Sequence, residues 1–384
     1  MRSSLAVLVA AAAAVPGSAS EAASSCGSSL PVAPAGLPAP VVLRTTCGSF
    51  RAGPDGHVAP TRAVRSPWWS PSRFQVDVRK DHVVLIEHGR VRWRSQGAFA
   101  SRSSSEFDSA ALSRRRLAFS FVNGRLWVSR LDGHEHAFGR REAALTWTTR
   151  GDLLTSQRSH GEWRLAVRDG NGLHPRVVAR RPVDAFVDDA THTVLYVTAS
   201  GSLVRTDGHS RQHLADLGSL GFGPRATLQV LPRHMIGISS PDRLAVLHRD
   251  GSLFAAMEYP ADSAGLTHGW PTFAVADDRV AAAVELDRLK GGTAGEDVYV
   301  LSPGGAQGTR LVRLQDEWVG CGWLVTMVWH GDWLLYSDSV VNVLAVDTSG
   351  GARVDLSKTA RQLPGVQVDE SSSEYTGLDF ATWG

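Results

Sequence analysis

An all-β repeat protein is the fold class this sequence predicts, and three observations predict it. An apolar strand, a glycine-containing turn and a second strand recur seven times along the 384 residues. Successive turns lie 37 to 53 residues apart, a period of whole sheets rather than of helical solenoids. Beyond the N-terminus, 3.6-residue periodicity is hard to find, while β-branched and aromatic residues dominate the apolar runs.

The elements follow in chain order. Arg2, the eleven apolar residues Leu5 to Val15, the break at Pro16-Gly17 and the small residues after it form a signal peptide, 1–23. Such an apolar run is too short to span a bilayer, and no later segment is long and apolar enough. Residues 24–66 read as a Pro/Gly/Ser-rich N-terminal arm. In an oxidising compartment one pair of the three cysteines is expected. Cys26–Cys47 is the local choice, with Cys47–Cys321 as its rival. The local bond would close a loop without a core of its own, worth about 3 kcal/mol in the chain-entropy model.

Residues 67–384 carry the repeat. Its hairpins turn at Gly89, Asp132-Gly133, Asp169-Gly170, Asp207-Gly208, Asp250-Gly251, Gly304-Gly305 and Gly350-Gly351. Asp-Gly and Gly-Gly suit the positive φ of tight hairpin turns. From the second hairpin on, two further strand-like runs precede each, for example Ala143 to Thr148 with Asp152 to Ser156, and Trp323 to Trp329 with Trp333 to Ser337. Four strands per unit is the composition of a β-propeller blade. The expectation is about seven blades, or six, closed by pairing N- and C-terminal strands. The apolar end Tyr375 to Trp383 is expected to complete blade one beside Phe74 to Val78, His82 to Glu87 and Arg90 to Arg94. Ser66 to Ser70 competes for that place.

These blades resemble the TolB-type, more broadly YWTD/TolB-like, propeller repeats of secreted bacterial proteins. The third-to-fourth strand turn is well kept. The inner-strand motif, Trp-Ser-Pro-Asp-Gly in the family, is nearest at Pro67-Trp68-Trp69-Ser70-Pro71-Ser72, where serine replaces aspartate. Elsewhere it shrinks to Arg150-Gly151-Asp152, Asp277-Asp278-Arg279 and His330-Gly331-Asp332. The resemblance implies architecture, because propellers host binding modules and enzymes alike.

Chemistry is sparse. There is no nucleophile elbow, sialidase Asp box, P-loop or dinucleotide fingerprint, and no catalytic, cofactor or metal residue is assigned. His134 and His136 flank Glu135, but a third ligand cannot be named. Asp188-Asp189 and Asp277-Asp278 sit at first-turn positions, where aspartate bonds its own backbone. Trp318, Trp323, Trp329 and Trp333 are the candidate binding aromatics; packing between sheets is the competing role. A net charge of +2 gives no case for a nucleic-acid partner. The expected function is a secreted or envelope-associated, non-catalytic propeller binding a protein or peptide, without cofactor or transmembrane segment. The alternative is a carbohydrate-active lyase or hydrolase using carboxylates at the central channel.

Overall fold

The computed structural model describes residues 29–384 apart from 63–74, 79–82, 88–89, 95–106, 122–124, 132–134, 160–161, 170–174, 189–190, 224–225, 261–265, 289–292, 306–307, 316–324, 339–340 and 370–373. The signal segment, Cys26, Cys321, Trp318, Trp323 and Ser66 to Ser70 therefore lie outside the described residues. Among those described, the strands form seven sheets of four, one of three and one of two, and their pairings are antiparallel. The α-helix among them is a single five-residue turn, Ser357–Arg361. The described residues divide into two compact units: 71–230 with 249–252, and 29–70 with 231–248 and 253–384.

In the first unit, the 107–140 sheet shows why a strand covered on both faces reads as a continuous apolar run. Arg116–Phe121 is buried from Leu117 onward because both its faces are covered. Alternation sends Leu117, Phe119 and Phe121 against Val83 and Leu85 of the 75–94 sheet. Ala118 faces the other way, into a cluster with Ala144, Trp147 and Leu153 of the 142–180 sheet. The 184–216 sheet continues the stack, with Val194 and Tyr196 against Leu154, Leu165 and Val167.

The second unit repeats this logic in Val280–Arg288. Val280, Ala282 and Val284 pack with Leu244, Val246 and Tyr299, while Ala281 and Ala283 pack with Met327, Leu334 and Tyr336 of the 326–355 sheet. The alanines are small because tyrosines from other strands fill the space they leave.

The C-terminal strand departs from expectation. Leu378–Trp383 pairs with Val41–Thr45, from Val41 opposite Trp383 to Thr45 opposite Leu378, and not with Phe74 to Val78. Gly48–Ala52 and Val58–Thr61 complete that sheet. Three strands thus lie within residues read as an arm, and the hairpin count of seven missed the sheet they build. The physical reason is burial: Val41, Leu43, Phe50, Ala52 and Val58 share one cluster with Leu335, Val343 and Ala381. The expected end strand is also split. Glu374–Thr376 folds back on Gln367–Asp369. Gly377 then turns the chain at φ 98°, where a Cβ would stand 2.1 Å from the Gly365 carbonyl oxygen.

Gly208, Gly251, Gly304 and Gly351 of the predicted hairpin turns have positive φ, whereas Gly305 and Gly350, their partners in the Gly-Gly pairs, do not.

Candidate functional site

The candidate site is a cleft of about 670 Å³ in the second unit, lined by Pro232, Arg233, Asp277, Asp278, Arg279 and Trp329 among others. Its floor comes from the strands Leu266–Val275 and Thr326–His330, and its rim from the turns at their ends.

Trp329 is set by strand register: it lies opposite Leu334, and its indole Nε1 donates to the Ala274 carbonyl at 3.1 Å. That bond is a recurring device. Trp147 Nε1 donates to Ala111 O at 3.1 Å in the first unit, and Trp383 Nε1 to Val328 O at 2.9 Å in the second. Each tryptophan stands near the end of a sheet-terminal strand and ties it to the corresponding strand of its neighbour. The ring of Trp329 carries a cation, the Arg279 guanidinium, 5.2 Å from its centroid.

Arg279 is held from several sides. It meets Asp278 at 3.1 Å and Asp332 at 2.7 Å, and donates to Thr348 Oγ1 at 3.2 Å. Across the cleft, Arg233 pairs with Asp277. Arg233 belongs to the 3-10 turn Pro232–His234 and takes a positive φ of 61°. The carboxylates are exposed, Asp277 almost fully. Their charges are met by guanidiniums, not aimed together at one point.

The candidate aromatics are separated. Trp329 lines the cleft, whereas Trp333, on the paired strand and the other face of the sheet, packs against the cluster of Leu335, Val341 and Val343. Trp329 therefore combines both roles weighed for these residues, packing between sheets and lining an open surface. Asp277-Asp278 is a turn between two strands, as its sequence predicts. Asp188 ends the strand Asp184–Asp188 in a buried place, with Arg205 close enough to feel its charge. His136 falls in Glu135–Arg140, and His134 is outside the described residues. Among the described residues, no three His, Cys, Asp or Glu come together as a metal set. Arg233 carried no sequence signal, because its place depends on an irregular turn; Arg279 and Asp332 were visible as remnants of the inner-strand motif.

Two buried polar clusters lie elsewhere and serve packing. In the first unit, Glu142 takes a two-pronged bond from Arg168 at 2.7 and 2.6 Å and a third from the Thr155 hydroxyl at 2.6 Å. In the second, the Tyr336 hydroxyl lies 2.5 Å from Glu296 Oε2 and 3.2 Å from Asp338 Oδ2. One O–H cannot donate fully to two carboxylates. Asp338 already accepts from the Asn342 backbone and side chain at 2.8 and 2.7 Å, which favours its charged form. Burial pushes the Glu296 carboxyl up to about 8. The Tyr336 hydroxyl donates to Glu296 Oε2, its shorter contact, while Asp338 takes its bonds chiefly from Asn342.

No family model and no curated protein matches the chain. Solved structures do. BamB from Moraxella catarrhalis is similar at 14% identity and TM-score 0.39, over 81% of this chain and 95% of that one. The WD40 domain of SCAP from fission yeast is similar at 9% identity and TM-score 0.38, over 73% and 85%. YCF48 bound to D1 peptide is similar at 10% identity and TM-score 0.35, over 70% and 87%.

Proposed function

We propose that this chain is a secreted or envelope-associated, non-catalytic β-propeller of the TolB-like kind that binds a protein or peptide, with the Trp329 cleft as a docking point. Among the described residues its four-stranded antiparallel sheets are of the blade type, and one of them is completed where Val41–Thr45 meets Leu378–Trp383. The observation carrying the binding reading is the cleft's chemistry. An aromatic floor with Arg–Asp pairs at its rim suits a polar, side-chain-rich partner. Carboxylates committed to Arg233 and Arg279 are poorly placed to act as paired acid and base.

The test is a pull-down from the envelope fraction with the full chain and with an Arg233→Glu/Asp277→Arg charge swap as bait. A partner held by the wild type and lost by a normally melting variant supports the reading. Release of reducing or unsaturated sugar ends from a polysaccharide panel by the wild type would favour the carbohydrate-active alternative and reject this one.

A further inference from the structure

The net charge of +2 conceals a split. Residues 71–230 hold 24 basic and 16 acidic side chains, whereas residues 231–384 hold 11 basic and 20 acidic. The first unit is therefore strongly positive, and part of its excess is gathered at one end of the 142–180 sheet. There Arg158 N donates to Arg141 O at 3.0 Å, Arg158 stands opposite Trp163, and Arg181 N donates to Trp163 O at 2.8 Å. Arg158 and Trp163 lie within paired strands, and Arg141 and Arg181 flank the outer two, so the backbones of the four line up along one end of the sheet, over about 14 Å at ordinary strand spacing.

One residue inward, Arg164 faces Arg180. Arg141, Arg158, Arg180 and Arg181 are exposed, and the Arg158 guanidinium lies 6.0 Å from the Trp163 ring centroid. Glu162 is the carboxylate paired here, bonded to Arg181 and 3.9 Å from Arg164. The Arg181 bond, with the Arg164 and Arg180 charges nearby, holds the Glu162 carboxyl below its usual range, and among the described residues guanidiniums outnumber carboxylates here. Two residues past Arg181, Val183 is an exposed large apolar side chain.

We propose that this strip docks an acidic segment of a partner protein, carboxylates forked onto Arg141, Arg158 and Arg181 and an apolar side chain against Trp163 and Val183. Guanidiniums in a row select a run of charges over a single anion, because each fork takes one carboxylate. Arginine and tryptophan are the side chains that dominate protein interfaces, and the apolar surface gives a bare polyanion nothing to bury. The strip lies in the first unit and is independent of the Trp329 cleft.

The test uses the full chain and a fluorescein-labelled peptide of glutamates flanking one phenylalanine, read by anisotropy at low and physiological salt. The wild type is expected to bind, more weakly as salt rises. Arg158→Gln/Arg181→Gln should weaken binding by about tenfold or more, a loss of about 1.4 kcal/mol. Trp163→Ala, or alanine in place of the peptide's phenylalanine, should weaken it severalfold. Arg125→Gln, on an exposed side chain of another sheet, should leave it unchanged. Arg158→Lys/Arg181→Lys keeps charge and fold while removing the forks, so it should fall between. No binding by the wild type, or equal loss in the Arg125 control, would overturn the proposal. So would heparin or duplex DNA binding as tightly as the peptide with no dependence on Trp163.

Discussion

Single side chains carry unusual responsibility where a charge is buried. Glu296 holds its proton to about pH 8 against an ordinary value of 4.5, because burial penalises its anion and Asp338, Glu285 and Asp297 face it with like charge. Arg313 and Arg310 lie on Asp297, and Arg361 reaches Asn342, so the cations nearby are engaged elsewhere. The folded pKa exceeds the unfolded one, so the folded state keeps a proton that the unfolded chain releases. Its contribution is full below about pH 4.5, declines as pH rises, and is gone above about 8. Thermal melts across that window should show a loss of roughly 1 kcal/mol per pH unit from this group. Glu296→Gln supplies an amide donor that does not titrate, and should flatten the slope. An unchanged slope in the variant would remove Glu296 as its source. Nothing in the sequence announced this cluster, since Glu296, Tyr336 and Asp338 meet only when two strands of different sheets stack. Trp329 was legible because tryptophan near the end of a sheet-terminal strand has few roles. Arg233 was not, because a 3-10 turn with positive φ leaves no periodic trace.

Strands and turns were the legible level. Asp-Gly and Gly-Gly hairpins are local, so four neighbouring residues suffice to announce them. The sheet built from Val41–Thr45, Gly48–Ala52 and Val58–Thr61 was missed for the opposite reason. Its fourth strand comes from the far end of the chain, and the Pro/Ser-rich residues before it dominate the local composition. At this scale the indole-to-carbonyl tie predicts an asymmetry. Trp147→Phe should cost about 2–4 kcal/mol, from lost volume and an unpaired Ala111 carbonyl. Trp333→Phe, at a half-buried position, should cost less than about 1.5 kcal/mol. Denaturant titration of both variants decides it, and equal costs would deny the tie its role. A stop after Ser373 removes Leu378, Phe380 and Ala381, all buried. One buried aromatic is worth about 3–5 kcal/mol, while a domain holds only about 5–15. Truncated protein should lose cooperative melting or aggregate; melting at the full-length temperature would show that the strand is dispensable.

The molecule as a whole was legible in class and less so in count. All-β repetition followed from patterning. The extra sheet and the division of charge between 71–230 and 231–384 did not, because +2 is a sum and sums hide opposites. The proposal of export predicts a mature protein beginning between residues 21 and 24, with Cys26 joined to Cys47. N-terminal sequencing and non-reduced peptide mapping check both, and an intact Met1 or a cross-link through Cys321 would reject them. The meeting of Val41–Thr45 with Leu378–Trp383 also has a meaning in time. The Thr45 hydroxyl bonds Pro364 O across 319 residues, so the first strands of the second unit leave the ribosome long before the strand that finishes their sheet. Until then Val41–Thr45 shows an open edge, the surface that invites mispairing. Every chain interrupted before residue 378 keeps that edge unpaired, so completeness of the chain and closure of this sheet are one event.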